Sequence, residues 1–372
     1  MGAGWETKYF DGSDCELLAQ YTDGGLCPVL LDDTLGGENL LSRGQHCSFK
    51  VVGKLGRGSY ATVWLVKDKK SARFLALKVL TRNVSNLDNE EMRVLNKLGR
   101  LLVAFFYSYK PTGDRFLCLG MQPLGCTIYQ RGDADIQPPA NADSIRIFIS
   151  TLVKKVLSYH AQGIRHGDLS PSNITFGLHR DALLPSSLRA SFEGDRKNIV
   201  ILRGAPESEI PPERPAHLPE YIVTHEGNLL TDGNDMSLVE VIDFGKAFDV
   251  PSKKGAFGTN LYQAYQVAQD PEGVANEKTD LWALGCVIAY GLTDRHLFRF
   301  SSIQKRYASM IGSDQLLLID KFLRNNRFLK GHEGLRMAVA ELIHSLVQAD
   351  PEMRDAKKTR QLLARLDSCD SE

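Results

Sequence analysis

Residues 166–173 read HGDLSPSN, with Asp168 and Asn173 five positions apart on a short polar stretch. Upstream, Ile145, Phe148, Ile149, Leu152, Val153, Val156, Leu157 and His160 recur at i, i+3, i+4 and i+7. That spacing predicts a one-faced helix ending near Gly163. Downstream, Ile174-Thr175-Phe176 is an apolar run. Asp168 and Asn173 therefore sit on a loop between a helix and a short extended segment. Much further on, Val241-Ile242-Asp243-Phe244-Gly245 reads as a strand ending in a second acid.

The bulk properties set bounds around this loop. The chain has 372 residues, enough for two lobes, and its 43% apolar and 24% charged residues describe a globular protein. Lys+Arg and Asp+Glu are both 45, so the whole chain has no electrostatic footprint for nucleic acid or membrane. Seven Cys, with no C-x-x-C, argue against a disulfide framework and for a reducing compartment, cytoplasmic or nuclear. The first residues show neither a basic nor an apolar leader. The apolar run Leu281–Leu292 is too short to span a bilayer and reads as a core helix.

Residues 1–48 are acidic and Gly-rich and read as an irregular lead-in. From residue 49, FKVVGKL and TVWLVKD form a hairpin rich in β-branched residues, and RFLALKVL is a third strand. LDNEEMRVLNKL (87–98) is a helix with Asp88 or Asn89 as its cap. LVAFFYSYK and RFLCLGM are two further strands about a turn at residues 111–114. After residue 143 the pattern turns helical, with further helices at about 278–292 and 335–348. The expected organisation is a lead-in (1–48), a small antiparallel β lobe with one helix (49–124), a large helical lobe (125–365) and a tail (366–372). The Pro-rich stretch at about 177–240 is an insertion in the large lobe, partly disordered.

Gly56-Arg57-Gly58-Ser59-Tyr60-Ala61 alone is a weak signal, since a dinucleotide fingerprint has the same form. Such a fingerprint needs a helix next, whereas Thr62–Val66 is strand-like. A glycine turn between two strands suits a lid over ATP phosphates, where backbone must approach without a Cβ in the way. Lys78 lies in an apolar strand and needs partners there. The α/β phosphates and an acid on the following helix supply them, with Glu91 preferred and Glu90 the alternative. His166-x-Asp168-x-x-x-x-Asn173 then has the spacing of a phosphotransfer loop. Asp168 would accept or orient the acceptor hydroxyl proton, and Asn173 and Asp243 would hold magnesium.

With these motifs in order, the chain resembles eukaryotic protein kinases, an α+β bilobal fold. Within them it is most similar to the SR-protein kinase family in its divergent fungal forms. The lead-in Tyr21-x-x-Gly24-Gly25-x-x-Pro28-Val29 and Thr62-Val63-Trp64-Leu65 carry that finer likeness. The resemblance implies an ATP- and Mg2+-dependent serine/threonine protein kinase with a protein substrate, binding no nucleic acid or membrane and acting as a monomer. It implies an ATP pocket from Leu55, Gly56, Gly58, Val63, Ala76, Lys78, Met121, Gln122 and Leu124, with Met121 as gatekeeper and Gln122 and Leu124 offering backbone groups to adenine. It implies that Thr259, in Gly258-Thr259-x-x-Tyr262, hydrogen-bonds Asp168. It also implies that Asp280, in Asp280-Leu-Trp282-x-x-Gly285, binds the backbone of the Asp168 loop.

Several residues depart from the family pattern. Gly167 stands where an Arg would receive an activating phosphate. Ser170 stands where a Lys would steady the transferring phosphate, a loss that could cost about one to three powers of ten in rate. Thr175 replaces an apolar residue beneath the adenine. Tyr265-Gln266 replaces Pro-Glu, so Gln266 can hydrogen-bond Arg354 but not pair with its charge. Residues 299–330 carry Arg299, Lys305, Arg306, Lys321, Arg324, Arg327 and Lys330 against Asp314 and Asp320, a surface poorly suited to an Arg-rich peptide. The alternatives are a pseudokinase scaffold that binds nucleotide, and a small-molecule phosphotransferase with the same His-Gly-Asp loop.

Overall fold

The computed structural model describes residues 16–134, 136–192, 197–199, 216–223, 229–233, 235–255, 257–268, 273–298 and 314–368. The chain divides into two compact units, residues 1–124 with 178–230, and residues 125–177 with 231–372.

The first unit is built on a six-stranded antiparallel sheet in the order β1-β2-β3-β4-β6-β5. Its strands are β1 (Thr34–Glu38), β2 (His46–Gly58), β3 (Ala61–Asp68), β4 (Phe74–Leu80), β5 (Val103–Ser108) and β6 (Arg115–Met121). One helix, α1 (Glu90–Lys97), follows β4, and Asn89 rather than Asp88 caps it, accepting from the Met92 N–H at 2.9 Å. Leu87 is exposed outside it; Val94 and Leu95 face the core. One sheet face buries Phe49, Val51, Trp64, Val66, Leu75, Leu77, Val79, Phe105 and Cys118.

The described part of the lead-in, residues 16–48, is more ordered than its composition suggests. TLGGE has two glycines and little β propensity, yet it pairs with β2 in register from Thr34↔Lys50 to Glu38↔His46. Tertiary burial decides it, since Leu35 is fully enclosed. Glu16 is buried as well. It pairs with the Lys54 ammonium and accepts a hydrogen bond from the Tyr21 hydroxyl at 2.5 Å. Lys54 also donates to the Val223 carbonyl at 3.2 Å and lies over the Trp64 ring. A buried Lys is tolerable only with such a set of partners.

The insertion belongs to this first unit, whereas its sequence position hung it on the large lobe. Its strand Tyr221–Val223 pairs with Lys197–Ile199. Tyr221 and Val223 pack on the sheet core, and Ile222 packs on Tyr21 and Leu26. Its helix Pro185–Phe192 starts on a proline, which suits the first helical position. Leu188 and Leu229 meet Leu65, with Leu55, Phe74, Leu183 and Phe192 around them. The apolar residues between the prolines thus find their partners on the sheet. The expectation of partial disorder falls largely on residues 200–215 and 224–228, which lie outside the described residues.

The second unit is helical. α2 (Ala142–Ala161) starts in a capping box of Asn141 and Ser144 and buries Ile145, Phe148, Ile149, Leu152, Val153, Val156 and Leu157, the face its periodicity predicts. α3 (Glu277–Thr293) is enclosed on nearly every side, and its uniform burial explains its unbroken apolar composition. Helices Gln315–Leu323, Glu333–Leu346 and Ala356–Ser368, with the short helices Tyr265–Ala268 and Arg327–Gly331, also belong to this unit, and Ala356–Ser368 is the last. The last extends into the first residues of the expected tail, where Leu366 is fully buried. Among the described residues no helix is long and apolar enough to cross a membrane.

Leu188→Ala removes the centre of the insertion's contact with the sheet. It should lower stability by about 2–4 kcal/mol, read as a fall in Tm. An unchanged Tm would mean that the insertion does not support the sheet.

Candidate functional site

In the first unit, the pairings Val63↔Lys78, Leu65↔Ala76 and Ala76↔Met121 place these side chains on one sheet face, because directly opposed residues share a face. The glycine turn joins β2 to β3, with Gly58↔Ala61 closing it and irregular register before Gly56. On that face Lys78 reaches Glu91 of α1, Nζ to Oε1 2.6 Å, both side chains largely enclosed. The structure thus selects Glu91 over Glu90, which lies beside Arg93 at 3.6 Å. The insertion abuts the same face through Leu65, and Leu55 belongs to that cluster. Met121 ends β6, Gln122 is exposed, and Leu124 is half-buried.

In the second unit everything near Asp168 depends on Asp280 of α3. Its carboxylate accepts from the backbone N–H groups of His166 at 2.7 Å and Gly167 at 2.9 Å, and meets the His160 ring at 3.0 Å. Burial alone would raise its pKa. The His160 hydrogen bond and charge, His166 and the Gly167 amide outweigh burial and hold the carboxyl below its usual value. The His166 ring lies 2.9 Å from the Ile242 carbonyl and tilts over Phe244, which also meets Tyr159 edge-on. Ile174↔Val241 and Thr175↔Glu240 pair the two extended segments, and the Ile242 N–H donates to the Asn173 carbonyl at 2.9 Å. This pairing carries Asp243 alongside Asn173. Thr175 is buried, its hydroxyl 3.5 Å from the Glu240 carbonyl.

The loop side chains are oriented in turn. Asn173 spends its amide nitrogen on the Asp168 carbonyl at 2.8 Å, leaving its amide oxygen as a donor for a hard cation. Asp243 has left-handed backbone, φ 58°, and accepts from the Gly245 N–H. Asn173 and Asp243 are oxygen donors of the kind magnesium takes, and magnesium usually completes its shell with substrate phosphate and water. Among the described residues no group of three or more His, Cys, Asp or Glu could hold a metal by itself. Thr259 donates to Asp168 Oδ1 at 2.9 Å, and Lys246 Nζ lies 3.1 Å from Asp168 Oδ2. Lys246 is a contact that sequence reading missed. The available signal was its place directly after Asp243-Phe-Gly.

Gln266 keeps its link to Arg354, Nη1 to Oε1 3.1 Å. Arg354 is almost fully enclosed, stacks on Trp282 and donates to the carbonyls of Gln348, Lys278 and Ala349. The Gln266 amide nitrogen is buried without a hydrogen-bond partner among the described residues. In the basic stretch, Arg324 shares the buried Asp320 with Arg336 from beyond it. Arg299, Lys305 and Arg306 lie outside the described residues.

The family model described as Protein kinase domain matches residues 49–183 and 225–364, and the segment it skips, 184–224, lies within the insertion. A Dictyostelium discoideum protein named a probable serine/threonine-protein kinase is 26% identical over 64% of this chain and 19% of its own length. The Schizosaccharomyces pombe serine/threonine-protein kinases ppk35 and ppk31 are 23% and 22% identical, over 71% and 72% of this chain and 40% and 30% of their own. The chain spans less than half the length of each of these relatives.

Two substitutions test this framework. Asp280→Asn should cost about 3 kcal/mol at neutral pH by removing a buried charge from its partners. A carboxyl with a depressed folded pKa contributes fully above its unfolded value, about 3.9, and its contribution fades as pH falls through the lower folded value. The Tm gap between variant and wild type should therefore hold above about pH 4 and narrow in acid. Gln266→Glu replaces an unpaired buried N–H with an ion pair to Arg354 and should raise stability by about 1–3 kcal/mol, read as a higher Tm.

Proposed function

Because this chain belongs to the protein kinase domain family, we propose that it transfers the γ-phosphate of ATP to serine or threonine hydroxyls of a protein, with Mg2+ as cofactor. The observation that carries this reading is the environment of Asp168. Its loop is anchored by Asp280, its Oδ1 is held by Thr259, and Asn173 is turned by the Asp168 carbonyl.

Each unit has its own part in the reaction. In the first, Lys78, steadied by Glu91, binds the α and β phosphates, and the Gly56–Gly58 turn offers backbone to them. Val63, Ala76, Met121 and Leu55 supply apolar surface to the base, and the backbone of Gln122 and Leu124 meets its edge. In the second, Asp168 orients the acceptor hydroxyl and takes its proton, while Asn173 and Asp243 hold magnesium. When bound, that ion neutralises charge on the phosphates.

The finer likeness to SR-protein kinases is part of the proposal. It is supported by the lead-in, whose Tyr21, Cys27 and Val29 are core residues. Arg-Ser repeats are poor substrates in this reading, because the basic stretch 299–330 repels them. The protein acts as a monomer in cytoplasm or nucleus, consistent with five free cysteines among the described residues and with thiols of Cys27 and Cys118 pushed up by burial. Ser170 favours one competing reading, a nucleotide-binding scaffold with little transfer activity. The Thr259–Asp168 contact weighs against a small-molecule phosphotransferase, whose loop is not followed by such a segment.

The experiment is transfer of labelled phosphate from ATP with magnesium, to the protein itself and to Ser/Thr peptides including an Arg-Ser repeat, with Asp168→Asn as control. Label that disappears in the variant is expected, with the Arg-Ser repeat labelled poorly. Absence of label from both proteins, with magnesium-dependent ATP binding intact, would establish the scaffold instead.

A further inference from the structure

Gly167 and Ser170, two departures from the family pattern, lie on either side of Asp168 in the same loop of the second unit. The segments on either side of Asp168 and Lys246 run antiparallel: Arg165 and Phe248 exchange both backbone hydrogen bonds, at 2.8 and 3.0 Å. Lys246 therefore lies opposite Gly167. Gly167 has φ 75°, and a Cβ there would come within 2.6 Å of the Lys246 carbonyl oxygen and 2.9 Å of the Phe257 ring. Any other side chain at 167, including the Arg of the family pattern, would push the two segments apart. Their close approach brings the Lys246 ammonium to 3.1 Å from Asp168 Oδ2.

The pair does little for stability. The Lys246 side chain is 44% exposed, against 15% for Asp168, and ion pairs of that exposure are weakened by solvent screening. Nor does Asp168 depend on it for orientation, since Thr259 holds the other carboxylate oxygen. What the pair does achieve is a partly exposed cation at the carboxylate that must touch the acceptor hydroxyl. That hydroxyl attacks the γ-phosphorus, so a cation in contact with Asp168 is within reach of the γ-phosphate oxygens.

We propose that Lys246 is the catalytic cation of this site, replacing the one that Ser170 cannot supply. The inference rests on the protein kinase reading above. In the step, the acceptor oxygen bonds to the γ-phosphorus while the bond from that phosphorus to the bridging oxygen breaks. The electron pair leaves on the nucleoside diphosphate, and the hydroxyl proton passes to Asp168. Lys246 neither gains nor loses a proton. Its N–H groups turn from Asp168 Oδ2 to a non-bridging oxygen of the phosphoryl group in transit, where they stabilise negative charge. Gly167 is the positioning residue that lets the lysine backbone come close enough.

The test is steady-state phosphate transfer by the full chain, comparing wild type, Lys246→Ala, Lys246→Arg and the double variant Lys246→Ala with Ser170→Lys. Lys246→Ala should lower kcat by about 10- to 1,000-fold with the KM for ATP changed less than about threefold, as expected for a cation used only in the transition state. Lys246→Arg should retain more activity than Lys246→Ala. Restoring the cation from position 170 should recover about tenfold or more in the double variant. A Lys246→Ala kcat within about threefold of wild type would overturn the inference and leave the kinase reading intact. So would a faster variant, which would make Lys246 a plug on Asp168. Wild type without Asp168-dependent transfer would remove the kinase reading and the inference together.

Discussion

The second unit depends on one buried carboxylate. Asp280 holds the backbone of His166 and Gly167 with two N–H bonds and a histidine contact. An ionised group with no access to water is stable only when its neighbours replace that water with donors, and the donors here are the backbone of the very loop that carries Asp168. Stability of the helix and shape of the site are therefore one constraint. From that anchor follow the contact of His166 with Phe244, the pairing of residues 174–175 with 240–241, and the position of Asn173 beside Asp243.

The departures from the family pattern are handled by local chemistry. Arg354 loses a carboxylate partner when Glu becomes Gln266, but three carbonyls and the Trp282 face surround its guanidinium. A fully enclosed arginine with that many acceptors keeps its place when its carboxylate partner becomes an amide. Thr175 is accommodated at the edge of the paired segments, facing the Glu240 carbonyl.

The first unit shows how a polar, proline-rich insertion becomes structure. Residues 178–230 leave the chain after the Asn173 segment, yet their apolar residues find the sheet, some on the face that bears Lys78 and others on the opposite core. Lys54 joins three distant parts: Glu16 from the lead-in, Trp64 from β3 and Val223 from the insertion. The lead-in and the insertion are thus held in one polar contact beneath the sheet's apolar packing.

The sequence by itself determined the class of fold, the helix before Asp168 and five of the six sheet strands, and it singled out Lys78, Asp168, Asn173 and Asp243 as the candidate site. Those features are written in periodicity and in short spacings, which covalent neighbours enforce. Only the tertiary structure decided between Glu90 and Glu91, drew TLGGE into the sheet, carried the insertion to the first unit and set Lys246 against Asp168. Each of those outcomes turns on which surfaces meet across tens of residues. Burial of Val94 and Leu95 orients α1 and so brings Glu91 to Lys78, and the absence of a Cβ at Gly167 fixes how closely Lys246 approaches. Contacts of that kind are set by burial and steric fit between distant segments, which no local pattern of residues encodes.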